Sequence, residues 1–210
     1  VGTVPFRKEY GYFGYLKKMI LTLHNIKMMK MGRLPFHGAM FHIVLRETGP
    51  VNVLLIGDSG AGKSETLEAL RGIIEEQVEE LVIVADDMGS VDILPDGRAV
   101  GYGTEIGAFV RLDDLQKGYA LGQIDRTIMM NPDQINARVV IPVTKFQNVV
   151  RGYEVDFVLY ANNYHVVDEE NPVIERFRTP DEALDVFRAG AVMSKGTTTT
   201  TGLTHSYFAN

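Results

Sequence analysis

The stretch Gly57-Asp58-Ser59-Gly60-Ala61-Gly62-Lys63-Ser64 limits the possible folds of this chain more than any other segment. It fits the pattern G-x-x-x-x-G-K-[ST] in full. The run before it, Val51 to Ile56, is short and nearly all apolar, the pattern of a strand buried on both faces. The residues after it, 64–80, carry the spacing of an amphipathic helix with an acidic outer face. In a strand–loop–helix setting the glycines let backbone N–H groups turn inward and form an anion cradle. The helix start adds its positive dipole end to the bound phosphates. Lys63 brings a full charge to the β/γ-phosphates, and the Ser64 hydroxyl can ligate Mg²⁺. The expected ligand is a nucleoside triphosphate.

A second buried strand, Leu81 to Ala85, ends in Asp86-Asp87. Two carboxylates at a strand end, next after the loop helix, stand where a metal on the phosphates needs oxygen ligands. One of the pair binds metal, and the other serves as a base or as support for the ligand.

The rest of the chain departs from a repeating βαβ array. Residues 12–31 have a helical rhythm of Leu16, Met19, Ile20, Leu23 and Ile26 with lysines between, and Gly32 closes that helix. An extended run from Phe36 to Leu45 leads into the turn Glu47-Thr48-Gly49-Pro50. Pro95-Asp96-Gly97 marks a hairpin, with further strands expected at 107–112, 126–130, 138–143 and 154–160. A late helix over 180–190 opens on Thr179-Pro180-Asp181-Glu182. The fold class expected is therefore α/β with a mixed, parallel and antiparallel sheet. Thr197 to Thr201 reads as a surface loop.

Composition excludes several functions. Without cysteine there is no disulfide scaffold, thiol nucleophile or Cys-type zinc site. A balance of 27 acidic to 21 basic residues, net −6, argues against non-specific binding to nucleic acid or an anionic membrane. The expected location is the cytoplasm. The chain begins at Val1 and ends on an apolar stretch at Asn210. The expectation is a single nucleotide- and metal-binding domain, residues 1–210, from a longer chain, with a natural end after loss of the initiator as the alternative.

Several motifs, in order, resemble the ATP-dependent phosphoenolpyruvate carboxykinase family. Tyr12-Phe-Gly-Tyr-Leu-Lys17-Lys18, then Asn25, Gly32 and His37, is similar to that family's segment with a metal-ligating Lys and His. The Asp86-Asp87 pair, Glu105-Ile-Gly-Ala-Phe-Val-Arg111, Asn136-Ala-Arg138-Val139, Thr179-Pro-Asp-Glu and Gly190 to Lys195 follow in the family's order. The resemblance implies Lys18, His37 and Asp87 as Mn²⁺ ligands, with Ser64 on Mg²⁺. It implies Arg138 on the transferring phosphoryl group, and Glu105 and Arg111 at the nucleotide side. The loop itself, His37-Gly38 and Val84-Ala-Asp-Asp87 are nearer to HPr kinase/phosphorylase, a relative with the same nucleotide fold. The carboxykinase's N-terminal domain is not in this chain, and its T-E-R-G segment is replaced by the threonine run, which lacks the Arg.

These residues define a phosphoryl-transfer site in which cations do most of the work. Lys63, Arg138, Asp86 and His37 are the catalytic candidates. Lys18 must lose its proton to ligate, which needs desolvation and a nearby metal charge; a Lys18 facing the core would turn Lys17 away. The first expectation is a carboxykinase-like lyase of gluconeogenic type, turning oxaloacetate and ATP into phosphoenolpyruvate, ADP and CO₂. The second is an HPr-kinase-like enzyme for a protein or small-molecule hydroxyl, with Asp86 as base. A non-catalytic nucleotide sensor is the third. The implied cofactors are ATP, Mg²⁺ and Mn²⁺, and the implied partners are a small anionic substrate or a hydroxyl acceptor. His24, His42, His165 and His205 belong to no motif and read as structural, as do the methionines.

Overall fold

The computed structural model describes residues 1–7, 10, 13–57, 77–111, 128–130, 138–169, 171–193 and 202–205. The helix α1 spans Phe13–Lys30. It ends where the rhythm predicts, because Gly32 turns the chain at φ 81. Among the described residues eleven strands and two helices follow up to residue 193: β1 Leu34–Leu45, β2 Gly49–Ile56, β3 Val78–Ala85, β4 Met88–Ile93, β5 Ala99–Gly103, β6 Gly107–Arg111, β7 Ile128–Met130, β8 Arg138–Pro142, α2 Phe146–Val150, β9 Tyr153–Glu154, β10 Phe157–Tyr160, α3 Pro180–Ala189 and, as the last of these strands, β11 Ala191–Met193. β12, Leu203–His205, pairs antiparallel with β11. Content is mixed α/β and mostly strand.

The long strand β1 organises the main sheet. Along one edge it pairs antiparallel with β2 from Gly38↔Ile56 to Leu45↔Gly49. Its other edge is shared: β3 takes Met40 to Leu45, and β4 takes Leu34 to His37. β3 and β4 are thus two halves of one antiparallel path along β1, bent at Asp86-Asp87. The sheet curls there, and Gly38 sits at the bend, where an added Cβ would collide with the Leu55 carbonyl oxygen. Beyond β4 come β5 and β9, and β10 adds to β2 in parallel. β6, β8 and β7 form a separate three-stranded antiparallel sheet.

Alternation along β1 separates two apolar layers. Phe36 and Met40 join Leu54, Val84, Val91 and Tyr153 on one face. Ala39, Phe41 and Ile43 join Leu55 and Ile83 on the other. Met40 and Val84 are fully buried.

Two expectations need correction. The helix placed at 64–80 cannot reach 80, because Val78–Glu80 already belong to β3; Glu79 and Glu80 are exposed and imitate a polar helix face. The strand placed at 154–160 is two strands in different neighbourhoods, β9 on β5 and β10 on β2. Asp156 between them accepts both the backbone N–H and the side-chain amide of Asn52. The helix at 180–190 forms as expected: Thr179 Oγ1 accepts from the Glu182 N–H, and Glu182 in turn accepts from the Arg178 N–H. The threonine run 197–201 and residues 64–76 lie outside the described residues.

Candidate functional site

β2 and β3 both run antiparallel to β1, so they are parallel to one another on its two sides. Their carboxyl ends therefore open on the same edge. Gly57, the first residue of the glycine-rich segment, leaves β2 there and donates its N–H to the His37 carbonyl at 3.3 Å. Asp86 and Asp87 leave β3 there, and the Gly38 N–H donates to the Asp87 carbonyl at 3.0 Å. The curl of the sheet thus sets the start of the loop, His37 and the aspartate pair side by side. Residues 58–64, including Lys63 and Ser64, lie outside the described residues.

α1 closes this edge with the face made of Gly14, Lys17, Leu21, His24, Asn25 and Met28. Lys17 Nζ stands 3.1 Å from Asp87 Oδ2 and 3.2 Å from Glu105 Oε2, with the Phe109 ring centroid at 5.4 Å. His37 Nε2 meets the other oxygen, Asp87 Oδ1, at 3.0 Å. Glu105 is placed by its neighbours: the Thr104 hydroxyl bonds the Met88 carbonyl, and Ile106 accepts from the Val143 N–H.

The electrostatics follow from this packing. Burial acts against the Lys17 charge, but Asp87 and Glu105 outweigh it and hold the ammonium above its ordinary value. Burial likewise pushes Asp87 up; the His37 hydrogen bond and the Lys17 charge reverse this and keep its carboxyl well below the usual range. Glu105 is raised, first by burial and then by the Asp87 and Asp86 charges, with Lys17 pulling it partly back. An ionised Asp87 only accepts, so His37 Nε2 carries the proton between them. Lys17, Glu105 and His37 are mostly buried, whereas the Asp87 side chain keeps 40% of its exposure.

The lysine assignment is corrected by this geometry. Lys18 lies on the exposed side of α1, where its carbonyl accepts from the Thr22 hydroxyl, and Lys17 turns inward instead. Neighbouring residues on a helix are about 100° apart, so only one of the two can face Asp87. Glu105, which the resemblance assigned to the nucleotide side, bonds Lys17 here. Arg111 and Arg138 are register partners across β6 and β8, and their side chains lie outside the description. Asp86 is half-buried beside the cluster.

Among the described residues no three His, Asp or Glu side chains gather as a metal-ligand set. The donors present nevertheless suit a divalent cation. His37 nitrogen and Asp87 oxygen are of the mixed N/O type that Mn²⁺ and Zn²⁺ accept. A cationic group already bridges Asp87 and Glu105, and Glu105 Oε1 is buried with no hydrogen-bond partner. A cation fits when it replaces a proton of the Lys17 ammonium and takes a ring-nitrogen lone pair of His37.

No protein-family model matches the chain, and no curated protein matches it. Among the described residues no helix is long and apolar enough to cross a membrane.

Proposed function

We propose that the chain is an ATP-dependent phosphoryl-transfer enzyme of the phosphoenolpyruvate carboxykinase type, on a P-loop fold shared with HPr kinase. The observation that supports this best is the convergence of Gly57, His37, Asp87, Lys17 and Glu105, from five separate segments, on one sheet edge. The loop from Gly57 to Ser64 holds the triphosphate, with Lys63 on the β/γ-phosphates and Ser64 toward Mg²⁺. His37 and Asp87, with Lys17 once deprotonated, hold a second divalent cation such as Mn²⁺. When bound, the cations neutralise charge on the phosphoryl oxygens and polarise the substrate oxygen. Arg138 and Arg111 complete the positive surround of the transferring group, and Asp86 keeps its neighbour oriented or takes a proton.

In this reading oxaloacetate loses CO₂, and the resulting enolate oxygen takes the γ-phosphoryl group, giving phosphoenolpyruvate and ADP. A second reading, a hydroxyl kinase, is favoured by one feature: Lys17 is tied as an ammonium between two carboxylates and needs to lose a proton before it can ligate. The test is direct turnover by the full chain with ATP, Mg²⁺ and Mn²⁺. The carboxykinase reading expects phosphoenolpyruvate and CO₂ in equal amounts, with Asp87→Asn lowering kcat/KM about a hundredfold or more. ADP formation only with an added hydroxyl compound moves the assignment to the kinase.

A further inference from the structure

A cleft of about 550 Å³ lies between α1, β6 and α2, with Lys17 and Glu105 in its lining. That is the size of a small-molecule site. Its walls are apolar: Ile106, Phe109, Val140, Phe146, Val149 and Val150. Polar groups stand at two poles. Lys17 and Glu105 form one, and His24, two helical turns or about 10 Å further along α1, marks the other. Burial, with the Lys27 and Arg33 charges nearby, holds His24 below its ordinary value, so His24 itself is neutral at pH 7.

The first pole defines the chemistry of its ligand. Of the three Lys17 N–H donors, two serve Asp87 and Glu105, which leaves one donor. Glu105 Oε1 is a buried acceptor without a partner. One ammonium faces two carboxylates, with Asp86 adding a further negative field at Glu105. A ligand carboxylate is repelled there, and an ammonium has no lone pair to accept from Lys17. A hydroxyl can both accept from Lys17 and donate to Glu105. We propose that this cleft binds an uncharged, elongated and largely apolar alcohol, with its hydroxyl at the Lys17–Glu105 pole. This goes beyond the phosphoryl-transfer reading and does not depend on it.

The experiment is calorimetric titration of the full chain, without nucleotide, with the straight-chain primary alcohols butanol, hexanol and octanol. Hexanoate and hexylamine serve as charged counterparts. Affinity should rise about fourfold per added methylene as the apolar walls are filled. Hexanoate and hexylamine should each bind about tenfold more weakly than hexanol, because neither satisfies the pole. Val150→Trp places a large ring at a wall position that is 50% exposed, and should cost about tenfold in octanol affinity at an unchanged melting temperature. Phe146→Ala, at a second wall position that is 63% exposed, should weaken octanol about threefold. The proposal is overturned by absence of saturable octanol binding, by equal affinity for hexanol and hexanoate, or by octanol binding that neither wall substitution changes.

Discussion

Lys17 and Asp87 lie 70 residues apart in sequence and meet at 3.1 Å, joining the first helix to the bend where β3 becomes β4. The same carboxylate takes His37 on its other oxygen, so Asp87 is shared by a helix and a strand. That sharing holds the sheet edge in one geometry and leaves Asp87 as its most accessible member.

Removing the Lys17 charge should therefore be felt and removing that of Lys18 should not. Lys17→Met leaves Glu105 buried without its cation and should destabilise by about 1–3 kcal/mol at pH 7. Lys18→Met, on the exposed side, should stay within about 0.5 kcal/mol of wild type. The raised Lys17 pKa makes its contribution complete below the ordinary lysine value of about 10.4 and lost as pH rises through the folded value. Urea unfolding at pH 7 and above pH 11 checks both points, since the Lys17→Met deficit should shrink at the alkaline end.

The acid limb carries the opposite sign. Asp87 titrates below its ordinary range in the folded chain, so its contribution is present above about pH 3.9 and fades as pH falls through the folded value. Asp87→Asn should cost about 1–2 kcal/mol at pH 7, a figure reduced for the exposure of the carboxylate, and progressively less as pH falls below about 3.9. Glu105 works against this: its raised folded pKa removes stability as pH rises above about 4.3. Unfolding midpoints from pH 2 to 7 for wild type, Asp87→Asn and Glu105→Gln separate the two effects.

The curl itself is testable at Gly38. An alanine there meets backbone rather than a flexible side chain, so Gly38→Ala should destabilise by about 1–3 kcal/mol, and the thermal midpoint should drop with it.

The strands on either side of the loop were readable along the chain because buried strands and turn residues leave strong local marks. Val51 to Ile56, the hairpin at Pro95-Asp96-Gly97 and the Thr179 cap all carry such signals. His37 and Asp87 could be paired in advance through the family resemblance alone. The rotation of α1 could not be read. Apolar residues occur on nearly every side of that helix, including Leu16, Ile20, Leu23 and Ile26 on its exposed side, so its periodicity has no single direction. Packing decides instead: Gly14 and Met28 are buried, and the face they share carries Lys17. The split of 154–160 was hidden for a similar reason. Asp156 reads as an ordinary strand-edge polar residue until Asn52 is brought beside it.

The phosphate loop makes its own prediction. Lys63→Ala should weaken Mg·ATP binding by about a hundredfold, since a full charge on the β/γ-phosphates is lost, while Lys18→Met leaves it unchanged. Titration calorimetry with Mg·ATP reads both, and equal affinities for wild type and Lys63→Ala would remove the loop from the account.

The most direct test of the site is Mn²⁺ affinity as a function of pH. A cation held by Lys17 together with His37 and Asp87 must displace a proton of the Lys17 ammonium, so wild-type affinity should climb with pH, by up to about tenfold per pH unit. Lys17→Met should flatten that climb, Asp87→Asn should abolish tight binding, and Lys18→Met should follow wild type. A wild-type profile that is flat with pH, or a Lys17→Met profile that overlays wild type, would contradict the assignment of the Lys17, His37 and Asp87 cluster as the cation site.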